Sequence, residues 1–467
     1  MPSLTNGIHL ALSAILAHSQ AIEIIEHNVA NVNTPGYRRQ APILATTTPS
    51  PAFGYESGLG AGQRGTGVTI ERIKRFNLEY FDTRYRAAAA ETKNWETRRD
   101  ILLQLETVLA ETSDAGLIPG LDAFWAGWQN LASDPTNTAL RANLLDQSRA
   151  LALAFNQRAQ QMAQLRADQN LAIQGGVEEI NALASQIASL NGEISRILSI
   201  NEQPNDLLDK RDLLLDRLAE LSGAVAHVQS NGEMIVSIGG HVLVTGRKAL
   251  KLQAEVDPAS PERMFRIVWE DGQGFAPSTG ELRGLFYVRD QVIPDQIKGL
   301  NDLAAALITQ VNAVHRNGYG LNGATGLDFF SGSDAATIQL NPTLQIEDIA
   351  SASAPDQPGN AEIASQLAAL KFTRTMNGGT ATFQEFYNAQ VTALGLETQR
   401  AGTNATHNGL VFKALGDQRE SVAGVSLDEE AAELIKYQRA YQAAARVMTA
   451  YDELLDKIIN GMGLVGR

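Results

Sequence analysis

Cysteine is absent from this 467-residue sequence, which excludes disulfides, thiolate metal sites and thiol nucleophiles together. The compartment stays open, since a chain without thiols tolerates oxidising and reducing surroundings alike. No Lys or Arg precedes Arg38, so no charged region stands ahead of an apolar stretch as in a secretory signal. Nor does any uninterrupted apolar run reach about 18 residues. The segment Ile8 to Ile25 is broken by His9, His18, Gln20 and Glu23, and reads as too polar to span a bilayer. These absences predict a soluble chain outside the general secretory route, with a dedicated export machine left open. Basic residues are in deficit, 38 Lys and Arg against 52 Asp and Glu, for a net charge of −14. That balance argues against an electrostatic grip on nucleic acid or anionic lipid. Apolar residues make up 44%, too many for wholesale disorder. At roughly 100–200 residues per domain, the length predicts two to four domains.

Catalytic patterns are missing too. There is no G-x-S-x-G elbow, P-loop or EF-hand sequence. Gly60-Ala-Gly-Gln-Arg-Gly65 matches the dinucleotide pattern G-x-G-x-x-G, which needs a strand before it and a helix directly after it. Prolines precede it and the extended run Gly67–Ile70 follows, so a loop is expected. The seven histidines show no zinc-protease spacing, and His18 falls at a position facing a helix partner, where a packed ring is expected. Glu178-Glu179 and Glu429-Glu430 read as solvated faces. No catalytic residue, cofactor or metal site is expected.

The two ends carry the strongest pattern. Leu4, Ile8, Ala11, Ile15, His18, Ile22, Ile25, Val29 and Val32 alternate steps of four and three, all but the histidine apolar. Asn33-Thr34-Pro35-Gly36-Tyr37 ends that helix, with Pro-Gly suited to the middle of a type II turn. Leu434, Tyr437, Tyr441, Ala444, Met448, Tyr451, Leu455, Ile458 and Met462 repeat the device at the C-terminus. Ser426 with Glu429 reads as a capping box at its start. Each seam needs a partner, since burying such side chains gains about 1.5–3 kcal/mol apiece. Two readings fit: amphipathic pieces of one core, or a terminal coiled-coil pair that also packs against other subunits.

Here the residues themselves resemble a known family. Asn28-Val-Ala-Asn31-Val-Asn33-Thr34-Pro35-Gly36-Tyr37 is similar to the N-terminal signature of bacterial flagellar rod, hook and hook-associated proteins. Gly424-Val-Ser-Leu-Asp-Glu-Glu430 and the run Leu434–Val447 resemble their C-terminal signature. Arg38 stands where the hook-associated branch often carries Ser, which reads as a surface change.

The interior resembles the hook-associated branch in particular. Phe124-Trp125, Leu131-Ala-Ser-Asp-Pro135, Asn205-Asp-Leu-Leu-Asp-Lys-Arg-Asp212, Gly280-Glu-Leu-Arg-Gly-Leu285 and Asn317-Gly-Tyr-Gly320 carry the likeness. Nearly continuous helix is predicted from Leu121 to Ile200, with a break at Ser133-Asp134-Pro135, then over Leu207–Leu221, Gln296–Arg316, Ala361–Thr373 and Thr382–Ala423. Short β segments are predicted at Ala224–Gln229, Glu233–Ile238, His241–Thr245, Ala249–Val256 and Met264–Glu270, parted by glycine turns.

The expected fold is therefore mainly α with a small β insertion. Residues 1–38 with 425–467 would form a coiled-coil inner-tube domain, 39–221 with 280–424 a helical-bundle rod, and 222–279 an outer β-rich domain, trimmed relative to many relatives. The resemblance implies a structural adaptor, a ring of subunits joining hook to filament outside the cell. It implies as partners further copies of itself, the hook protein, a second junction protein or the filament side, and a cytoplasmic export chaperone at the C-terminal segment, with export by the flagellar type III apparatus. No nucleic-acid partner and no membrane insertion are expected. The alternatives are another axial component of hook or rod type, or an enzyme with an unrecognised site.

Overall fold

The structure, a computed structural model, describes residues 2–49, 65–109 and 116–461. Helix α1 (Pro2–Ala30) is followed by an antiparallel hairpin of β1 (Gln40–Thr46) and β2 (Val68–Arg75), and both strands lie against α1. Helices α2 (Glu79–Leu109), α3 (Leu117–Ser133), α4 (Thr138–Leu198) and α5 (Asn205–Ser222) come next. Asn137 caps α4, its side chain accepting from the N–H groups of Ala139 and Leu140. With 61 residues, α4 is roughly 90 Å long and forms the spine of the molecule. Gly223, at φ +68°, stops α5 in a left-handed cap that a Cβ would strain.

Strands β3 (Val225–Val228), β4 (Met234–Ile238), β5 (His241–Thr245) and β6 (Lys248–Ala249) make one antiparallel sheet in that order. A second sheet pairs β7 (Leu252–Val256) with β8 (Phe265–Trp269). The chain returns through α6 (Glu281–Tyr287) and α7 (Ile293–His315), joined by a π turn at Val288–Val292. Pro294 withholds an N–H just after that turn, and the helical ladder widens there. The short strands β9 (Phe330–Ser331) and β10 (Gln339–Leu340) precede α8 (Glu362–Ala369), α9 (Phe383–Ala423) and α10 (Leu427–Asp456). This is a mainly α fold with a small β insertion.

One apolar cluster runs the length of α4 and takes in α2, α3, α5, α7 and the β-rich segment. Its far end is aromatic: Phe124, Trp128 and Phe329 are fully buried with ring centroids 5.1–6.3 Å apart. Three asparagines of α4 hold the β strands to its flank. Asn181 exchanges two hydrogen bonds with the backbone of Leu252, at 2.8 and 2.9 Å, and Asn191 does the same with Met234, at 2.8 and 3.0 Å. Asn170 accepts from the Phe265 N–H at 2.7 Å. The amides of Asn181 and Asn191 each offer a neighbouring strand the donor and acceptor of a peptide group. Segment 222–279 therefore lies along the side of α4 and shares its core, through Val236, Val244, Leu252, Ile267 and Trp269.

Helix α2 and strand β1 are not anticipated by the sequence patterns, while β2 begins within the extended run expected at Gly67–Ile70. The buried face of α2 includes Asp82, Arg86, Thr92, Asn94 and Arg98, so an apolar stripe emerges only from Ile101 onward. A second, smaller apolar cluster holds Ala21, Ile25 and Tyr437, with Ile22, Ile70 and Leu434 packed on it. It joins the two ends of the chain.

Candidate functional site

Helices α1 and α10 pair antiparallel. Asn28 meets Glu430, the His18 ring lies 5.9 Å from that of Tyr437, and Gly7 sits under the ring of Tyr451, where a Cβ would collide with it. Of the N-terminal seam, Ala11 and Ile25 are buried and Ile8, Ile15, Ile22 and Val32 half-buried. Val29 is 40% exposed, and its neighbour Asn28 turns inward instead. Of the C-terminal seam, Tyr437 and Ala444 are buried, and Leu434, Met448, Tyr451, Leu455 and Ile458 half-buried. Tyr441 is 38% exposed, while Ala440 and Ala444 flank the contact in its place. The side chain of Leu4 and all of Met462 lie outside the described residues, as does the glycine motif before Gly65. His18 is packed as expected, and burial lowers its pKa.

The family turn is a hydrogen-bonded clasp. Tyr37 N–H donates to Thr34 O at 3.1 Å, and Gly36 takes φ +79°, as a type II turn requires of its third residue. Asn31 and Thr34 brace it, with Thr34 Oγ1 donating to Asn31 Oδ1 at 3.1 Å and Asn31 Nδ2 donating to His27 O at 3.0 Å. Asn33, Thr34 and Pro35 face solvent. Asn28 is the hub. Its Nδ2 donates to Gln40 O at 2.7 Å and to Glu430 Oε2 at 2.9 Å, while its Oδ1 accepts from Gln40 N at 3.0 Å and Tyr37 Oη at 2.7 Å. All four positions of the amide are used, so no other side chain of this size fits the site. Burial, followed by the charges of Asp206, Asp209 and Glu430, raises the Tyr37 pKa and keeps its hydroxyl a donor.

Two sequence expectations fail here for one reason. Ser426 caps α10 by position but makes no side-chain hydrogen bond, and Glu430, read as solvated, is 1% exposed. Both glutamates are drawn instead to Arg39, Glu429 at 3.0 Å and Glu430 at 2.6 Å. Arg38, read as a surface substitution, is 4% exposed and grips Asp82 with both guanidinium nitrogens, at 3.0 and 2.6 Å.

Arg38 opens a buried ionic network. Arg75 of β2 pairs with Asp209 and Asp212, both at 2.6 Å. Arg86 of α2 pairs with Asp212 at 3.0 Å and Asp216 at 2.7 Å, and Arg419 of α9 with Asp216 at 2.7 Å. Four guanidiniums thus face four carboxylates contributed by α2 and α5. Burial pushes the Asp212 carboxyl up, but Arg75, Arg86 and Arg38 outweigh it and hold the group well below the usual carboxylate range. At Asp209, nearer the edge, burial prevails over Arg75 and Arg38 and the pKa is raised. The network fastens the terminal pair and hairpin to the rod. The signal for it was the spacing of Asp209, Asp212 and Asp216, which puts three acids on one face of α5 with no base beside them on that face.

Among the described residues no group of three or more His, Asp or Glu is arranged to hold a metal ion. By length and composition Thr5–Ala30 is apolar enough to cross a membrane, because its histidines and Gln20 add little charge. Polar interruption therefore does not exclude a span. In the folded chain that helix lies on α10 and the hairpin.

Residues 102–330 match the family described as the helical domain of flagellar hook-associated protein FlgK. Residues 8–38 match the flagella basal body rod protein family, and residues 418–461 the C-terminal family of flagellar basal body rod FlgEFG proteins. Flagellar hook-associated protein 1 of Bacillus subtilis is 29% identical over all of both chains. The matches converge on one likeness: along its whole length this chain resembles flagellar hook-associated protein 1. Its relatives of that name from Salmonella typhimurium and Escherichia coli are 27% and 26% identical. Their alignments cover 97% and 98% of this chain and 99% and 100% of theirs. A solved structure of the flagellar hook junction protein FlgK from Burkholderia pseudomallei has the same fold, with a TM-score of 0.65 at 18% identity over 73% of this chain and all of that one. The three sequence alignments run over 514, 556 and 560 positions, so these members of the family carry segments that this 467-residue chain lacks.

Proposed function

We propose that this chain is a structural adaptor of the bacterial flagellum, joining hook to filament as a ring of subunits at the hook–filament junction. The observation that carries the reading is the full-length likeness to flagellar hook-associated protein 1, terminal segments included. The mechanism is geometric. The paired ends, residues 1–38 with 425–467, build the inner tube. The rod, 39–221 with 280–424, stands on it through the buried ion network, and 222–279 thickens the flank of the rod. Seam residues of α1 and α10 hold each pair closed, and the faces left outside meet neighbouring copies. Hook protein binds on one side of the ring, and a second junction protein or the filament on the other. The adaptor works outside the cell and catalyses no reaction. It leaves the cytoplasm through the flagellar type III apparatus, with a chaperone covering the apolar side of the C-terminal segment before assembly.

Electron microscopy of flagella from a strain lacking this chain tests the proposal. Intact hooks without filaments are expected, with filaments restored by the full chain. Normal filaments in the deletion strain would overturn it. Activity of the purified protein on muropeptides would instead favour the enzyme alternative.

A further inference from the structure

The seam leaves the opposite faces of both terminal helices uncovered, and those faces differ in charge. Nine residues turn an α-helix by about half a revolution, so Leu12 lies opposite Ala21 on α1 and Arg446 opposite Tyr437 on α10. The outer face of α1 carries exposed Leu16, Glu23 and Glu26, and the whole helix contains no Lys or Arg. The outer face of α10 carries exposed Ile435, Arg439 and Arg446. From Leu434 to Tyr451 that helix has no acidic residue, in a chain of net charge −14. Among the described residues, neither the two glutamates nor the two arginines are in an ion pair.

We infer that the acidic outer face of α1 in one copy docks on the basic outer face of α10 in the next. The inference rests on the ring reading above and names the contact that builds it. Such a contact is heterologous: each copy offers a different surface to each neighbour, as a closed ring or helical tube requires. The charges also fix an offset. Within one chain, Asn28 stands level with Glu430 and Gly7 with Tyr451, so Glu23 and Glu26 lie level with residues 432–435 of their own α10. To meet Arg439 and Arg446, the neighbour must slide along the tube axis by about nine residues, roughly 13 Å at 1.5 Å per residue.

The test uses full-length chains in a strain deleted for this protein. Glu23→Arg with Glu26→Arg, and separately Arg439→Glu with Arg446→Glu, should each lower filament attachment at least tenfold while the protein is still exported. The chain carrying all four changes should recover attachment. Because the chain has no cysteine, contacts can also be trapped directly. Mixed junctions built from Ser19→Cys and Ala450→Cys chains should form the crosslinked pair on oxidation. Parent-like attachment by both charge-reversed variants, a fourfold variant no better than either, or Ser19→Cys crosslinking only to itself would overturn the inference. Those results would leave the junction reading intact. Failure of the parent chain to restore filaments would instead remove the junction reading itself.

Discussion

Asn28 and Glu430 are 402 residues apart in sequence and meet through a 2.9 Å hydrogen bond in the buried clasp between α1 and α10. The contact closes the chain on itself, and it does so through an amide whose other three positions bind the turn and β1. Replacing Asn28 by Ala takes the amide partner from Glu430 Oε2 and from both backbone groups of Gln40, while Glu430 Oε1 keeps Arg39. At about 1–3 kcal/mol for each unsatisfied buried group, the terminal pair should open while the rod stays folded. Asn28→Asp should behave differently, because it sets a second carboxylate against Glu430. Its defect should be largest near neutral pH and lessen on acidification. Denaturant unfolding followed by limited proteolysis between residues 30 and 80 reads both outcomes.

Asp212 is the carboxylate on which three guanidiniums converge, so Asp212→Asn keeps the shape and removes the charge that balances them. Breaking a buried pair in this way costs about 3–5 kcal/mol. The pH dependence follows from the direction of its shift. Because the folded pKa lies below the unfolded one, its stabilisation is present above about pH 4 and is lost as pH falls further. Asp209, shifted upward, opposes this in part by favouring the folded state as acid is added. Unfolding free energies from pH 2 to 6 should show a steep acid limb in the parent. The limb should be shallower in Asp212→Asn.

His315 gives a second, separate pH signal. The ring is buried at the far end of the rod, with Nδ1 donating to Leu327 O at 2.7 Å and Nε2 accepting from the Ala350 N–H at 3.0 Å. Burial pushes its pKa down to about 4, and a proton on Nε2 would face a donor. The fully buried Arg141 nearby donates to Ile349 O and Ser351 Oγ and has no carboxylate partner among the described residues, so it adds to the same bias. A depressed histidine pKa contributes stability fully above the unfolded value of about 6.5 and loses it as pH falls toward 4. The difference amounts to about 3 kcal/mol. Stability measured from pH 4 to 8 should rise across that window, and His315→Gln should flatten the rise.

The parts of this fold legible in sequence are those written in apolar spacing and glycine punctuation. The near-continuous helix expected over Leu121–Ile200, broken at Ser133-Asp134-Pro135, corresponds to α3 and α4, and the glycines around His241–Thr245 bounded β5 to the residue. Polar burial was not legible. Arg38 looked like a surface residue because its partner Asp82 lies 44 positions away and a charge does not announce its neighbours. The buried face of α2 opens with Asp82 and Arg86, so no stripe reveals the helix until its last turns. Ser426 and Glu429 formed a valid local capping pattern, yet Arg39, distant in sequence, offered the glutamate a stronger partner than a backbone N–H. Asn28 was visible as a motif residue, while its role as a four-way hub depended on Glu430 arriving from the other end of the chain.

Gly7 and Tyr451 offer a test of how independent the terminal pair is. Its apolar cluster of Ala21, Ile25 and Tyr437 is separate from the main core and far smaller, so it should open well before α4 does. Hydrogen exchange on the isolated chain should find amides of residues 5–20 and 440–458 exchanging orders of magnitude faster than those of 173–194. Gly7→Leu sharpens the comparison. Its side chain must displace the Tyr451 ring, which already occupies the space a Cβ would need, and the end of the pair must splay. The ionic network lies at the other end of α1, beyond Asn28, so the strain has no route into the rod. The thermal midpoint of the rod should therefore stay within about 2 °C of the parent, since a change confined to the pair alters neither the contacts nor the entropy of the main core. Exchange in α1 and α10 should accelerate further, and filament attachment in cells should fall. A lowered rod midpoint in Gly7→Leu would show that the pair and the rod unfold as one unit.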